Sequence, residues 1–583
     1  MTQNGSSGAQ RTSGVPAVDI STPDGLTERR GADLLLEVLD SEGVEYVFGN
    51  PGTTELPLMD ALLSKPQIQY IWGLQEASVV AMADGYAQAA RRPGFVNLHT
   101  AGGLGHALGC IINAGVANTP LVITAGQQDS RHTVTDPLLF GDLVAIARPN
   151  VKWAQEVASA AQIPVLVRRA FHDCNAAPAG GVFLSLPMDV MEEKTTVSTL
   201  RQSRIDRRAV AGSLEELADI LAAVPVGRLV MIAGDEIDTS DAAAEAVEIA
   251  EILGVPVYGS SWPARIPFPT SHPLWAGNMP TKATDINKRL SDYDCVFALG
   301  GKSLITILYT EGPAVPETCE VLQLSSDVRD LGRTYETRLS VWGDIKASLQ
   351  VLNPLVRRKV APTAAERRKR LDAARADREG RRRDIEAQAR SEMDAPVTTP
   401  LVAAHEVVRA IGSRVAIVDE AVATSSHVRS LLHSDSARQY SFLRGGVLGW
   451  GMPASVGFSL GYGRAPVVCL VGDGAALYSP QALWTAAHEK LPVTFVVMNN
   501  REYNVLKNFQ RGQSHYNSTR SNRFIAMDIV DPPVDYMALA HAFGLPARRA
   551  ERVSDIAALV EAGIASELPN VIEIPISAEV YVR

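Results

Sequence analysis

Two polar clusters close successive apolar segments in the last third of the chain. Asp473 stands between Gly472 and Gly474 directly after the run PVVCLV, and Asn500 follows the next run, VTFVVMN. A carboxylate and an amide oxygen are hard ligands that suit Mg²⁺, which takes further ligands from water and a phosphate. Glycines let the backbone approach such a phosphate closely, and a helix predicted after residue 479 would present its N-terminus to it. The residue types and their spacing therefore indicate a magnesium–diphosphate site.

Both apolar runs are predicted to be buried strands. Uninterrupted apolar segments of this length are typical of strands covered on both faces. Ligands bind beyond the carboxyl ends of strands in open parallel sheets, so Asp473 and Asn500 would converge if their strands are neighbours. Each polar cluster alone is only a common turn. The signal becomes fairly strong because both clusters close an apolar strand.

The rest of the chain shows the same alternation of short apolar and helical segments. It predicts an α/β fold of three doubly wound parallel-sheet domains, because strands separated by helices form parallel sheets covered on both faces. A segment rich in charge and alanine predicts an exposed linking helix. The predicted boundaries are 1–30 for a disordered tail rich in Gly, Ser and Thr, 31–195, 210–355 and 399–583 for the domains, and 356–398 for the linker.

Composition limits the classes of function. The 583 residues carry a formal net charge of −10, which provides no global attraction for nucleic acid or an anionic membrane. No apolar run approaches the length of a membrane span, and the N-terminus lacks the basic start and apolar core of a signal peptide. The five cysteines show no CxxC pair, so we expect a cytoplasmic protein without a disulfide framework.

The two polar clusters resemble the cofactor motif of thiamine-diphosphate-dependent enzymes of the pyruvate decarboxylase and acetolactate synthase type. In the first domain, NPGTTELPLMDALL, LQEASVVAMADGYAQAA and NLHTAGGLGHALG resemble the pyrimidine-binding domain of that family, most closely in benzoylformate decarboxylases. The resemblance implies a pyrimidine-binding, a central and a diphosphate-binding domain, in that order. It also implies thiamine diphosphate and Mg²⁺ as cofactors, with Asp473, Asn500 and the backbone carbonyl of Glu502 as metal ligands.

The resemblance implies cofactor-binding roles for further residues. Glu76, in LQEA, matches the catalytic glutamate that bonds the pyrimidine ring, whereas alone it would be an acidic residue favourable at a helix start. Leu448 lies where the family places a large apolar residue that bends the cofactor. Gly446 would offer a backbone carbonyl to the cofactor's amino group, and the two glycines beside Asp473 complete the predicted site.

The resemblance also implies substrate contacts. His99, in NLHTAGG, matches an active-site histidine that would transfer protons or hold the substrate carboxylate, whereas alone it would be a packed residue at a strand end. Thr53 stands where benzoylformate decarboxylases carry a serine that binds that carboxylate, and its added methyl group would narrow the pocket. Four residues are equally well candidate pocket walls or ordinary core: Leu138, Leu139, Leu506 and Phe509.

Three departures from benzoylformate decarboxylases leave the substrate open. The second active-site histidine of those enzymes falls near Ile307, where the sequence has none. Its proton-transfer role is then missing, or another group takes it over, with His515 and Glu502 as candidates. His106 replaces an asparagine near the cofactor, and GLGHALG is more like the 2-hydroxyacyl-CoA lyases of the same superfamily. Glu502 places a carboxylate beside the metal-binding turn, where it could bond a substrate hydroxyl, act as an acid–base group, or disfavour a second negative charge.

The first expectation is a thiamine-diphosphate- and Mg²⁺-dependent carbon–carbon lyase that converts an aryl or branched 2-oxo acid to an aldehyde and CO₂. Three alternatives stay open: a 2-hydroxyacyl-CoA lyase giving formyl-CoA and an aldehyde or ketone, an acetolactate-synthase-like carboligase, and a non-catalytic paralogue. Intact Glu76, Asp473 and Asn500 argue against the last. In this family the cofactor lies between the first domain of one subunit and the third of another, so the resemblance implies a homodimer or homotetramer.

Overall fold

A computed structural model describes residues 28–199 and 201–579. Within these residues, three six-stranded sheets follow one another along the chain, and the strand pairs inside each sheet are parallel. Parallel neighbours need crossover connections, and here helices supply most of them. The prediction of three parallel-sheet α/β domains is confirmed.

The first domain begins with a short strand that pairs with the end of the same domain. β1 (Arg29–Arg30) and β8 (Lys194–Thr195) are antiparallel. The remaining strands are β2 (Tyr46–Gly49), β3 (Gln69–Trp72), β4 (Gly94–His99), β5 (Leu121–Gln127), β6 (Ala154–Glu156) and β7 (Gly181–Pro187), in the sheet order β3-β2-β4-β5-β7-β6. The helices are α1 (Gly31–Ser41), α2 (Leu56–Leu62), α3 (Glu76–Ala90), α4 (Thr100–Val116), α5 (Leu143–Ala147), α6 (Ile163–Asn175) and α7 (Met188–Glu192).

The predicted disordered tail, 1–30, lies outside the described residues except for its last three positions. There Arg29 and Arg30 form β1, so the ordered chain includes residues that the prediction assigned to the tail. The side chain of Arg29 also bonds Glu37, which ties this strand to α1. A strand of two residues has too little sequence pattern to be predicted.

The central domain has the sheet order β11-β10-β9-β12-β13-β14. Its strands are β9 (Leu229–Ala233), β10 (Val257–Gly259), β11 (Trp275–Asn278), β12 (Cys295–Leu299), β13 (Glu320–Ser325) and β14 (Leu339–Trp342). Its helices are α8 (Leu214–Ala223), α9 (Glu236–Thr239), α10 (Ala243–Leu253), α11 (Ala283–Leu290) and α12 (Ile345–Lys359).

A long charged helix, α13 (Ala364–Ser391), follows the central domain, where the sequence predicts a linking helix. Most of its side chains are exposed, but Arg367 is buried and its Nη1 donates to the carbonyl of Leu253 at 2.9 Å. Arg378 Nε donates to the carbonyl of Thr270 at 3.1 Å. The helix is therefore fastened to the central domain by arginines that reach backbone carbonyls.

The third domain has the sheet order β16-β15-β17-β18-β20-β19. Its strands are β15 (Ala416–Glu420), β16 (Tyr440–Phe442), β17 (Val467–Gly472), β18 (Val493–Asn499), β19 (Ala547–Arg549) and β20 (Asn570–Pro575). Its helices are α14 (Pro400–Ile411), α15 (Ser425–Leu431), α16 (Gly451–Gly461), α17 (Asp473–Ala476), α18 (Gln481–His488), α19 (Asn504–Arg511), α20 (Asn517–Ser521), α21 (Tyr536–Ala542) and α22 (Val553–Ala565).

Helices α3 and α16 join the first and third domains at very short range. A Cβ atom at Gly457 would lie 1.9 Å from the carbonyl oxygen of Met82, so only glycine fits there. Trp450, just before α16, donates from Nε1 to the buried Asp84 Oδ2 at 2.8 Å. This packing fixes the loop before α16 relative to the first domain of the same chain.

Two sequence expectations concern the state of the cysteines and membrane-spanning segments. All five cysteines lie within the described residues and are buried and unpaired. In the part of the chain that the structure describes, no helix combines the length and apolarity needed to cross a membrane.

Candidate active site

Asp473 lies where β17 ends and α17 begins. β17 pairs with β18 in parallel, with Gly472 opposite Met498, so the carboxyl ends of the two strands meet. The Asp473 side chain is buried, and its oxygens accept hydrogen bonds from the backbone N–H groups of Gly474 (2.8 Å) and Arg501 (2.5 Å). Burial raises the pKa of Asp473 to about 6, although these backbone donors lower it. A cation would stabilise the ionised form.

The two asparagines after the apolar run have different partners. Asn499 turns inward, and its Nδ2 donates to Glu573 Oε1 at 2.7 Å. Asn500 Oδ1 accepts a hydrogen bond from the backbone N–H of Glu502 at 3.0 Å, which closes the turn. Arg501, between Asn500 and Glu502, has a φ of +59°, so the chain reverses tightly at this residue. The turn brings the two side chains that the sequence predicts as ligands to the same sheet edge.

The side chain of Glu502 faces a lysine on the following helix. Lys507 Nζ donates to Glu502 Oε2 and, at 2.5 Å, to Asp528 Oδ1. Asn504 Nδ2 donates to the other carboxylate oxygen of Glu502 at 2.8 Å. Both oxygens thus have partners within the chain, which favours a structural role for this side chain. Its backbone carbonyl stays the predicted metal ligand.

The donor set and the space around it fit a diphosphate cofactor with Mg²⁺. Among residues 28–199 and 201–579, no group of three or more His, Cys, Asp or Glu side chains could hold a metal ion. A site of one carboxylate, one amide and one carbonyl suits Mg²⁺ when a phosphate supplies further ligands. A Cβ atom at Gly472 or at Gly446 would meet nothing within 4 Å, so the backbone is open at both positions.

A buried glutamate holds the loop that carries Leu448. Glu420, at the end of β15, is 1% exposed, and burial raises its pKa to about 7. It accepts three hydrogen bonds from backbone N–H groups that lead into α16: Gly449 at 2.7 Å, Trp450 at 3.2 Å and Gly451 at 2.7 Å. The sequence analysis missed this residue, because an acidic residue closing the strand RVAIVDE carries no sign of its distant partners.

Glu76 is the first residue of α3, and its carboxylate is held from two sides. Asn50 Nδ2 donates to Oε1 at 3.0 Å, and His106 Nδ1 lies 3.0 Å from Oε2. Gly103 leaves room for the side chain, because a Cβ atom there would lie 3.2 Å from Glu76 Cγ. The helix N-terminus favours a negative charge at this position. His106, predicted as a cofactor contact, therefore touches the carboxylate that is itself predicted to bond the cofactor.

His99, at the end of β4, is bonded to a buried glutamate that the sequence analysis missed. Its Nδ1 lies 2.9 Å from Glu55 Oε2 and 3.0 Å from Thr54 Oγ1. Glu55 also accepts hydrogen bonds from the backbone N–H groups of Gly52 and Gly126, which fix it in place. The hydrogen bond with Glu55 raises the pKa of His99, against the opposing effect of burial. Because Nδ1 is engaged, Nε2 is the nitrogen left to act on a substrate.

The backbone next to His99 is strained. Thr100 has a φ of +46°, which is unusual for a β-branched residue, and its Oγ1 is buried without a hydrogen-bond partner. Strain of this kind concentrates at functional sites. Thr53 opens the 3₁₀ turn Thr53–Glu55 and is exposed, so its hydroxyl lies on the turn whose next two residues hold His99.

The four candidate pocket residues lie outside the buried core of the chain. Leu138 is 85% exposed, Leu139 43% and Leu506 47%, and Phe509 is partly buried. Exposure of this extent disfavours the ordinary-core interpretation. Leu506 and Phe509 share α19 with Lys507, so this helix carries both the ion pair of Glu502 and two candidate walls.

The region near Ile307, where the resemblance would place a second histidine that this sequence lacks, is partly exposed. Ile307 is 43% exposed. His515, the proposed substitute, is exposed and lies edge-on to Tyr516 with ring centroids 4.7 Å apart. His427 was not considered from the sequence. It bonds the Glu579 carboxylate through Nε2 at 2.9 Å, and the carbonyl of Glu579 accepts from α19.

The Glu76 and Asp473 groups share no hydrogen-bond partner among the described residues. The carboxylate of Glu76 is bonded within the first domain, and that of Asp473 within the third. Exposed apolar side chains lie close to each in sequence: Trp72 and Leu74 before Glu76, and Leu477 and Tyr478 after Asp473.

Comparison with known proteins matches all three domains to one family. Residues 29–147 match the thiamine pyrophosphate enzyme N-terminal TPP-binding domain, 214–352 the central domain, and 406–574 the C-terminal TPP-binding domain. A benzoylformate decarboxylase of Pseudomonas aeruginosa is 30% identical over 553 residues, covering 92% of this chain and 97% of that protein. A putative acetolactate synthase large subunit of Mycobacterium tuberculosis is 26% identical, covering 93% and 98%. The structure of a thiamine diphosphate-dependent 4-hydroxybenzoylformate decarboxylase from Rhodococcus jostii RHA1 superposes with a TM-score of 0.82 at 26% identity, covering 94% and 100%.

Proposed function

The chain belongs to the thiamine pyrophosphate enzyme family, and we propose that it decarboxylates an aryl 2-oxo acid to an aldehyde and CO₂. The observation that carries the proposal is the bond between His99 and the Thr53–Glu55 turn. This bond holds the His99 imidazole beside a turn whose first residue, Thr53, has an exposed hydroxyl. The same domain carries Glu76. Relatives named as benzoylformate and 4-hydroxybenzoylformate decarboxylases support the aryl substrate.

The third domain would hold the cofactors. Asp473 and Asn500, with the carbonyl of Glu502, would bind Mg²⁺, and the open backbone at Gly472 would admit the diphosphate. When bound, thiamine diphosphate supplies a nucleophilic carbon that adds to the keto group and takes up the electrons left when CO₂ departs. Glu420 would keep the loop with Leu448 in one conformation, because three backbone N–H groups are fixed on its carboxylate.

The first domain would supply the acid–base groups. Glu76 would bond the pyrimidine ring of the cofactor, with Asn50 and His106 holding its two oxygens. The Thr53 hydroxyl would donate to the substrate carboxylate. Glu55 keeps His99 protonated to a higher pH than usual, so His99 Nε2 can donate a proton to the keto oxygen of the substrate.

A complete site of this kind needs two copies of the chain. The family resemblance places the cofactor between the first domain of one copy and the third domain of another. Among the described residues, the Glu76 and Asp473 carboxylates accordingly have no common hydrogen-bond partner. Exposed Trp72 and Leu74 next to the first group, and Leu477 and Tyr478 next to the second, provide apolar surface for a second copy. We therefore propose a homodimer, or a homotetramer made from two dimers, acting on small molecules in the cytoplasm.

The structure weakens the case for the 2-hydroxyacyl-CoA lyase. That alternative rested on His106, on Glu502 and on the missing second active-site histidine. Glu502 is paired with Lys507 and Asn504, and His106 is bonded to Glu76. Both departures from benzoylformate decarboxylases thus have partners inside the chain.

The resemblance implies that an acetolactate-synthase-like enzyme would usually carry a flavin in the central domain. A cavity of about 510 Å³ lies at the carboxyl edge of the central sheet, bounded in part by Glu236 and Gly301. The Glu236 carboxylate is buried there and accepts hydrogen bonds from Ser325 Oγ (2.9 Å) and the Ser326 N–H (2.7 Å). Five basic and five acidic side chains line this cavity, so the preference for the decarboxylase is based on the relatives named as benzoylformate and 4-hydroxybenzoylformate decarboxylases.

The test is product analysis under single-turnover conditions with thiamine diphosphate and Mg²⁺. Benzoylformate, a branched aliphatic 2-oxo acid, pyruvate and 2-hydroxyisobutyryl-CoA would be offered separately, with Glu76→Gln as the control variant. Benzaldehyde and CO₂ from benzoylformate, absent in the control, is the expected result. Formyl-CoA with a ketone, or acetolactate from pyruvate, without decarboxylation of benzoylformate would overturn it.

A further inference from the structure

The contact between His106 and Glu76 has a chemical consequence beyond holding a side chain. We propose that His106 is a positioning residue that shares one proton with Glu76. It thereby supplies the proton that Glu76 carries when it bonds the pyrimidine ring of the cofactor. The proposal deepens the proposed function, since it rests on Glu76 as the group that bonds the pyrimidine ring. It does not depend on which substrate is decarboxylated.

The geometry gives the two oxygens of Glu76 unlike partners. Oε1 receives an N–H of Asn50 at 3.0 Å, and an amide can only donate there. Oε2 lies 3.0 Å from His106 Nδ1, which can donate or accept. The Glu76 side chain is 12% exposed, whereas the His106 side chain is 68% exposed in the single chain. One oxygen is therefore held by an amide, and the other faces a side chain that can hold or release a proton.

The proton balance across this contact is simple. When Glu76 is ionised, a protonated His106 donates its Nδ1–H to Oε2. If the proton moves to Oε2, an N–H bond breaks, an O–H bond forms, and neutral Nδ1 accepts the hydrogen bond from the carboxyl group. The pair holds one proton in both arrangements, so Glu76 can become protonated without taking a proton from solvent.

Other titratable groups around Glu76 do not offer such a path. The Tyr70 hydroxyl, from β3, is buried without a hydrogen-bond partner, and its pKa is raised by burial and by the charges of Glu55 and Glu76. His99, from β4, feels the charge of Glu76 but is bonded to Glu55. Among the described residues, Asn50 and His106 are the side chains that bond the Glu76 carboxylate, and of these two only His106 can take up or release a proton.

The identity of residue 106 makes the inference specific to this chain. A histidine and an asparagine at this position differ in one respect. Asparagine can donate a hydrogen bond to the carboxylate, yet it cannot take up or release a proton. His106→Asn is therefore the informative variant, because it keeps a donor and removes only the proton exchange.

The first measurement is calorimetry of thiamine diphosphate binding, with Mg²⁺, in two buffers of different ionisation enthalpy. In the wild-type protein we expect little proton uptake, because His106 supplies the proton. In His106→Asn, uptake should rise towards about one proton per site at neutral pH, while the dissociation constant changes less than about 3-fold. His172→Asn is the matched control, because His172 Nδ1 lies 2.8 Å from the Asp173 carboxylate on the distant helix α6.

The second measurement is the rate at which bound thiamine diphosphate exchanges its thiazolium proton for deuterium, read by NMR after acid quench. We expect His106→Asn to slow this exchange by about 10-fold or more and to remove one ionisation from its pH profile. The control should match the wild type. Equal proton uptake and equal exchange in wild type and His106→Asn would overturn the proposal and leave His106 as a simple donor. Since neither measurement needs a substrate, a wrong substrate assignment would leave both results interpretable.

Discussion

Nδ1 of His99 lies 2.9 Å from Oε2 of Glu55, and four donors in all converge on the Glu55 carboxylate. The imidazole is thereby anchored through one nitrogen, with its proton directed at a carboxylate that is almost fully buried. Buried histidine–carboxylate contacts of this kind fix both the ring orientation and the tautomer. Glu55 thus belongs to the candidate site, although it reaches the substrate only through His99.

Replacing Glu55 by glutamine is expected to shift the pH dependence of the reaction. The carboxylate raises the pKa of His99, so its loss should move the limb of the kcat/KM profile that reports His99 to lower pH. We expect kcat to fall by about 10-fold or more at neutral pH. The profile of Thr53→Ser, which keeps both partners, serves as the control. An unshifted limb in Glu55→Gln would show that His99 does not titrate in the observed profile.

The same contact should appear in the stability of the cofactor-free protein. Because folding raises the pKa of His99, the contribution to the free energy of unfolding is fully present below the unfolded value of about 6.5. It is lost as the pH rises through the folded value. Urea unfolding of wild type and Glu55→Gln should therefore differ in how stability changes across this window. Parallel curves from pH 5 to pH 9 would contradict the assignment.

Glu420→Gln is expected to weaken cofactor binding. The two carboxylate oxygens of Glu420 accept hydrogen bonds from three backbone N–H groups. Glutamine has only one acceptor oxygen, so its NH₂ group would face a backbone N–H, and two donors would oppose each other. We expect a loss of about 2–3 kcal/mol in the free energy of unfolding, and a larger effect on the cofactor dissociation constant than on KM for the substrate. Denaturant unfolding and cofactor calorimetry measure the two. An unchanged cofactor affinity would show that the hydrogen bonds between Glu420 and the loop that carries Leu448 do not contribute to cofactor binding.

Removal of the metal should abolish stabilisation by the cofactor. At 100 times its dissociation constant, thiamine diphosphate with Mg²⁺ should stabilise the protein by about 2.7 kcal/mol, seen as a rise in Tm. A chelator should remove the rise, and Asp473→Ala should lack it, since no carboxylate then closes β17. A cofactor-dependent rise that persists in Asp473→Ala would place the metal elsewhere.

Glu502 and Lys507 offer a test of structural against catalytic roles. Lys507→Met leaves Glu502 and Asp528 without their shared cation, and we expect a loss of about 2–4 kcal/mol in the free energy of unfolding. Glu502→Gln should cost less and should leave kcat within about 3-fold, because the predicted metal ligand is a backbone carbonyl. A drop of 100-fold or more in kcat for Glu502→Gln, with stability retained, would instead identify the side chain as an acid–base group.

Local sequence was sufficient for the fold class and for the sheet edge at which Asp473 and Asn500 lie. Uninterrupted apolar runs such as VTFVVMN indicate strands buried on both faces, and their alternation with helices requires parallel sheets. The polar residue that ends such a strand must lie at the ligand-binding edge. For this reason the sequence predicts that Asp473 and Asn500 lie at the same sheet edge, where the parallel strands β17 and β18 place them.

Partners that come from distant segments could not be predicted in this way. Glu55 in PGTTELP has the pattern of a helix start, and no residue near it in sequence indicates that it contacts His99. Glu420 reaches a loop almost thirty residues away, and Lys507 pairs with Asp528, which follows 21 residues later in the chain. Secondary structure follows from periodicity within a segment, which one sequence contains. The partner of a buried charge depends on how whole elements pack, because the cost of an unpaired charge is met by whichever donors that packing brings within reach.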